Sequence, residues 1–278
     1  MEISAALVKE LRDRTNLPMM ECKKALIQAN GDIEKAIDYL RTTFKNVAVS
    51  RGGRETAEGR IAAFVAPDMK SAALVEMRCE SPPVVKAEAF VKLSNDIATQ
   101  IAGKEPASVD ALLAEPYAAE KGKTVGDRIN DAIGLLRENM KPARFKRLSG
   151  GLIGSYCHHD GSVGVLVQVE GASADAQLLR DVCMHITAKN PVSARREDVP
   201  ADIVAKEKEI ATAQAAATGK PANIAEKIAE GKLKTWFAEN VLVEQPFVKE
   251  ESKSVGDLLK AAGLTMKGFV RFKVGEAV

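Results

Sequence analysis

Near the start of the chain, apolar positions recur at spacings of three and four, the pattern of helices with one buried stripe. Ser4 can cap a first helix whose stripe is Leu7, Val8 and Leu11, and Asn16-Leu17-Pro18 stops it. A second helix is expected with Met19, Met20, Cys22, Ala25, Leu26 and Ala29 inward and Glu21, Lys23 and Lys24 mostly outward, closed by Asn30-Gly31. Asp32 then caps a third, with Ile33, Ala36, Ile37 and Leu40 as its inner face. Three short helices over residues 1–45 make a marginal core, so part of their surface is expected to serve a partner. Residues 46–58, with Arg51-Gly52-Gly53-Arg54, read as a flexible linker.

Beyond the linker the period changes. Gly59 to Val65 and Ser71 to Cys79 are rich in Ala, Val, Ile and Phe around Pro67-Asp68, which predicts a hairpin. Helices are expected at Lys86 to Ile101, Val109 to Ala114 and Val125 to Asn139, the last opened by Gly122-Lys123-Thr124. The pattern then recurs: strands at Gly151 to Tyr156 and Val163 to Glu170, a turn at His159-Asp160-Gly161, and a helix at Ala174 to Ala188. A charged helical hairpin is predicted at about 191–240, turning at Thr218-Gly219-Lys220-Pro221, with too few large apolar residues in its first arm for deep burial. A helix at Val255 to Ala262 follows, and a strand at Gly268 to Val274 completes the second sheet. The expected fold class is α+β: an N-terminal three-helix domain, then two subdomains with antiparallel sheets, at 59–149 and 150–278, the second interrupted by the hairpin.

Composition narrows the function. With 40 basic against 38 acidic residues, 4% aromatics and only short basic clusters, the chain lacks the footprint of a nucleic-acid binder. No apolar run reaches the roughly 18–20 residues that span a bilayer. Met1-Glu2-Ile3-Ser4 has no basic and apolar leader, so a cytoplasmic location is expected. Cys22, Cys79, Cys157 and Cys183 are far apart and read as small buried hydrophobes.

A search for chemistry finds no catalytic constellation. Cys157-His158-His159 has no second cluster at zinc spacing, and neighbouring side chains on a strand point to opposite faces. Gly122-Lys123-Thr124 ends like a phosphate-cradling loop, but Tyr117 stands where that loop needs its first glycine; a cap at Thr124 is the plainer reading. His185, between Met184 and Ile186, reads as a satisfied core histidine. Neither a catalytic residue, nor a metal, nor a cofactor is expected. Two other classes stay open on the residues alone: an RNA-associated adaptor, and a hydrolase using Cys157 and His158.

Several segments together carry a likeness. Leu7-Val8-Lys9-Glu10-Leu11-Arg12, Met19-Met20-Glu21-Cys22-Lys23-Lys24-Ala25-Leu26 and Asn30-Gly31-Asp32-Ile33-Glu34-Lys35-Ala36 resemble the N-terminal signature of bacterial elongation factor Ts. Leu152-Ile153-Gly154-Ser155-Tyr156, Gln245-Pro246-Phe247-Val248 and Phe269-Val270-Arg271-Phe272 agree later in the chain. The resemblance implies a ubiquitin-associated-like (UBA-like) domain at 1–45 and a guanine-nucleotide exchange factor, without cofactor, that binds elongation factor Tu and promotes GDP release. It also implies contact residues: Met19, Met20 and Lys23 on the second helix; Pro82, Pro83 and Val84 after Cys79; Leu136 and Arg137; His158; and Val248 with Lys249. Pro82-Pro83 stand where the family has an Asp-Phe pair, and Leu136-Arg137 where it shows Ile-Gly. The hairpin is a candidate for a homodimer or a two-to-two complex, and neither nucleic acid nor membrane is an expected partner.

Overall fold

The computed structural model describes residues 3–15, 17–219 and 221–276. The expected helix stop at Asn16 and the turn residue Lys220 lie outside the described residues. The helices and strands follow in the order α1 (Ala5–Thr15), α2 (Met19–Gln28), α3 (Ile33–Arg51), β1 (Glu58–Val65), β2 (Ser71–Cys79), α4 (Pro82–Val85), α5 (Glu88–Lys104), α6 (Val109–Ala114), α7 (Val125–Leu136) and β3 (Met140–Ser149). Then come β4 (Leu152–Cys157), β5 (Val163–Glu170), α8 (Ala176–Lys189), α9 (Ala201–Ala216), α10 (Ala222–Asn240), β6 (Pro246–Phe247), β7 (Glu250–Ser254), α11 (Val255–Ala261) and β8 (Thr265–Lys273). The mixture of helix with hairpin-based sheets is α+β. The chain divides into two compact units, one of residues 1–62, 75–145 and 274–278, the other of 63–74 and 146–273.

In the first unit, α1 to α3 enclose Val8, Leu11, Cys22, Ala25, Leu26, Ala36, Leu40 and Phe44. Asp32 caps α3 as expected, its carboxylate accepting from the Lys35 N–H at 3.0 Å. Two expectations need correction. The third helix runs on to Arg51, past the start set for the linker at 46, because Phe44 and Ala48 extend the stripe of Ala36 and Leu40 in steps of four. Met19 and Met20 do not point inward: they are 55% and 61% exposed. Met20 lies on the side of the helix opposite Cys22, and the core cluster takes only Cys22, Ala25, Leu26 and the following Ala29 from this stretch.

Sheet order in the first half is β1-β2-β3. Strand β3 is absent from the sequence reading, where Lys141 to Arg147 stand only as a short basic cluster. The charge is matched inside: Glu76, buried on β2, accepts from Arg144 at 2.7 Å and Arg78 at 2.9 Å. Helix α7 opens with the expected cap at Thr124, completed by the Asp127 carboxylate as a capping box. It closes at Leu136 rather than Asn139, since Arg137 turns left-handed at φ 61°.

The second unit holds the antiparallel sheet β4-β5-β8, with Leu152 opposite Val169, Cys157 opposite Gly164 and Val163 opposite Lys273. Val165, Val167 and Val169 meet Leu179, Val182 and Ile186 of α8 and Val255 and Leu259 of α11. The hairpin α9–α10 is as shallow as its composition suggested: α9 buries only Ala211 and Ala215. The short pair β6–β7 was hidden by the charges of Glu250, Glu251 and Lys253.

Packing of α3 on α7 depends on Gly134. A Cβ there would stand 2.2 Å from Phe44 Cγ and 2.6 Å from its Cβ, neither of them the free end of a flexible chain. Gly134→Ala is therefore expected to destabilise the protein by about 1–3 kcal/mol through overpacking, despite the gain in helix propensity. Thermal unfolding checks this; an unchanged or raised Tm contradicts it.

Candidate docking surfaces

Met19, Met20, Lys23, Pro82, Pro83, Val84, Leu136 and Arg137 belong to the first unit, and His158, Val248 and Lys249 to the second. On α2 the buried positions Cys22, Ala25 and Leu26 fix one face toward the core, which turns Lys23 and Ile27 outward; Ile27 is 48% exposed. With Met20, these make an exposed apolar and cationic strip at positions i, i+3 and i+7. Ile27 is the member that the sequence reading left out, and this spacing was its signal.

Pro82 and Pro83 lie at the start of a single helical turn, α4, whose Val84 and Val85 are buried while the two prolines remain exposed. Val84 thus anchors the turn more than it presents a surface. Leu136 is half-buried and Arg137 exposed, with Arg137 Nη2 3.7 Å from Glu21 Oε2. That pair brings the end of α7 to the flank of α2 that carries Glu21. Its two side chains are partly solvated, so the link orients more than it stabilises.

A cleft of about 370 Å³ in the first unit is lined by Arg14, Ile37, Phe44, Tyr117, Lys123 and Asp131, among others. Its polar groups serve one another. Lys123 pairs with Asp131 at 2.6 Å and Glu120 at 2.7 Å; burial opposes its charge, but the carboxylates outweigh this and hold the ammonium above its ordinary pKa. The Tyr117 hydroxyl donates to Asp96 at 2.6 Å, and burial followed by that bond raises its pKa. Gly122-Lys123-Thr124 is thus a cap and an internal ion pair, with no lysine left over for a phosphate.

In the second unit, His158 opens the turn between β4 and β5 with Nδ1 3.0 Å from the Tyr156 hydroxyl, and the Arg180 guanidinium lies 5.2 Å over the Tyr156 ring. Among the described residues no group of three or more His, Cys, Asp or Glu is placed to hold a metal ion. Burial pushes the Cys22 thiol up, and the Cys79 thiol to about 11, as expected of cysteines that act as hydrophobes. Lys249 pairs with Asp181 at 2.8 Å. Val248, 40% exposed, is held by its backbone: its N–H donates to His185 Nδ1 at 3.2 Å.

His185 is the satisfied core histidine the sequence suggested. Because Nδ1 accepts from Val248, Nε2 carries the proton and donates to Gln245 Oε1 at 2.9 Å; the Gln245 amide in turn donates to the Glu239 carbonyl at 2.7 Å. The ring is neutral, and burial depresses its pKa below the ordinary 6.5. As pH falls below about 6.5 the unfolded chain gains a proton at this site and the folded one resists it, so stability declines with falling pH until the folded pKa is passed. Between pH 7.5 and 5.5 the free energy of unfolding should fall by up to about 1.4 kcal/mol per pH unit in this group's window, and His185→Gln should flatten that slope. Chemical denaturation at several pH values checks it; parallel slopes in the two proteins contradict it.

Comparison with known proteins adds an independent line. Residues 83–276 match the family described as "Elongation factor TS". Elongation factor Ts of Methylococcus capsulatus is 45% identical over 280 aligned positions, covering 100% of this chain and 94% of its own length. Its counterparts from Thioalkalivibrio sulfidiphilus and Pasteurella multocida are 43% and 44% identical, each over 100% of this chain and 94% and 93% of their own. The family match over most of the chain and full-length identity at this level lead to one conclusion: the chain belongs to the elongation factor Ts family.

Proposed function

We propose that this translation elongation factor is a guanine-nucleotide exchange factor: it binds elongation factor Tu in its GDP form, disturbs the phosphate and Mg²⁺ region, and speeds GDP release so that GTP can bind. In this reading it needs no active site or cofactor of its own and works in the cytoplasm. Residues 1–45 act as a UBA-like module that presents α2. The observation that carries the reading is the strip of Met20, Lys23 and Ile27, with Met19 beside it, left exposed on a helix whose other face is fully used. A monomer exposes scattered apolar residues freely, but apolar residues aligned with a cation along one exposed helix face suit a partner surface.

The mechanism follows from linkage. A factor that binds the empty GTPase more tightly than the loaded one weakens nucleotide binding by the same ratio, about tenfold for each 1.4 kcal/mol of coupling. The α2 strip and the exposed Pro82 and Pro83 supply binding energy. The nucleotide leaves because part of that energy is realised only once its site has been distorted.

Purified protein in catalytic amount is expected to accelerate release of labelled GDP from the same organism's elongation factor Tu; an unaltered rate at micromolar protein rejects the proposal. Met20→Ala and Lys23→Ala should each slow stimulated release roughly 5- to 30-fold, the effect of about 1–2 kcal/mol at an interface, with stability changed by less than about 0.5 kcal/mol.

A further inference from the structure

Glu138 and Asn139 follow the left-handed Arg137 and bind two other stretches of the first unit, Glu80-Ser81 and Gly52 to Arg54. Glu138 accepts from the Ser81 backbone N–H at 3.0 Å and also from the Ser81 hydroxyl. The Asn139 N–H donates to Glu80 Oε1 at 2.6 Å. The Asn139 amide donates to the carbonyls of Arg54 at 2.8 Å and Gly52 at 3.3 Å, and Arg54 in turn reaches Glu80 at 3.3 Å. The exchange is reciprocal. Each of the adjacent residues Glu80 and Ser81 is tied to one of the adjacent residues Asn139 and Glu138, so the segments cannot twist independently.

The prolines explain why this arrangement is available. Ser81 occupies the N-cap position of α4 yet makes no side-chain cap. Pro82 and Pro83 remove two of the backbone N–H groups that a cap could serve, and the Ser81 hydroxyl, which caps nothing, donates to Glu138 instead. With φ fixed at both prolines, the direction of α4 is set at Ser81, the residue Glu138 holds twice. Arg137, the residue before Glu138, reaches Glu21 on α2.

We infer that Glu138 and Asn139 are positioning residues for the exchange reaction: they hold the exposed Pro82-Pro83 step and Arg137 as one rigid edge, presented together with the α2 strip. This rests on the proposed function but adds residues whose own side chains face inward; Asn139 is 4% exposed, so it acts through its neighbours and not by touching a partner. Charged hydrogen bonds to backbone N–H groups are among the stronger ones, and cutting one should be felt at the edge it orients.

The test uses the full chain. Glu138→Gln and Ser81→Ala should each lower the GDP release rate at saturating factor on the order of tenfold, whereas Ser81→Thr, which keeps the hydroxyl, stays near wild type. In the Glu138→Gln background, adding Pro83→Ala should cause little further loss, because the edge is already released. Unchanged rates for Glu138→Gln and Ser81→Ala, or losses that simply multiply with Pro83→Ala, overturn the inference. Amide hydrogen exchange separates it from the functional reading: Glu138→Gln should deprotect residues 80–86 and 138–140 while α1 and the second unit keep wild-type protection. Wild-type protection in those two segments overturns the inference whatever the release assay gives, and a wild-type chain that fails to release GDP overturns the proposed function instead.

Discussion

The reciprocal hydrogen bonding of Glu80 and Ser81 with Asn139 and Glu138 is the constraint on which the first unit's exposed edge depends. Where β2 ends and β3 begins, backbone groups that would otherwise need strand partners are satisfied by carboxylates. The Asn139 N–H, aided by Arg54, holds the Glu80 carboxyl below its usual pKa. The charges are therefore committed locally, and the residues between them, two prolines and a left-handed arginine, can face outward without disturbing the fold.

The rest of the unit is consistent with that arrangement. Phe44 fills the space left by Gly134, which sets α3 against α7. Buried Glu76 accepts from both Arg78 and Arg144 and from the Gly275 N–H at 3.0 Å. In the second unit, His185 does with a neutral ring what the carboxylates do in the first: it accepts a backbone N–H and so fixes an exposed residue, Val248. In both units, buried polar groups set the direction of exposed apolar ones, and a polar group left unmet in these places would cost more than the bond it makes.

Much of this was legible in the residues. The helical module, the two hairpins, the capping at Asp32 and Thr124, the shallow hairpin α9–α10 and the core role of His185 all follow from local rules that the structure obeys. The failures have physical causes. Strand β3 was hidden because its charged residues mask the alternation: Lys141 and Lys146 are exposed, and Arg144 is met by Glu76, distant in sequence. The inward placement of Met19 and Met20 followed their apolarity, but Met20 falls on the face opposite Cys22, and the buried stripe of α2 begins at Cys22. The linker was set too early because Phe44 and Ala48 bury against elements that local periodicity does not specify. As for the candidate site, its α2 strip could be found from spacing, while Glu138 and Asn139 could not, since their role comes from segments some sixty to ninety residues away.

Directed outward by these internal bonds, the exposed edge acts as a lever only if docking and nucleotide binding compete for free energy. Calorimetric titration of this chain into elongation factor Tu, once stripped of nucleotide and once loaded with GDP, measures that competition directly. Markedly tighter association with the stripped form is the predicted result. Equal affinity for the two forms would contradict the account.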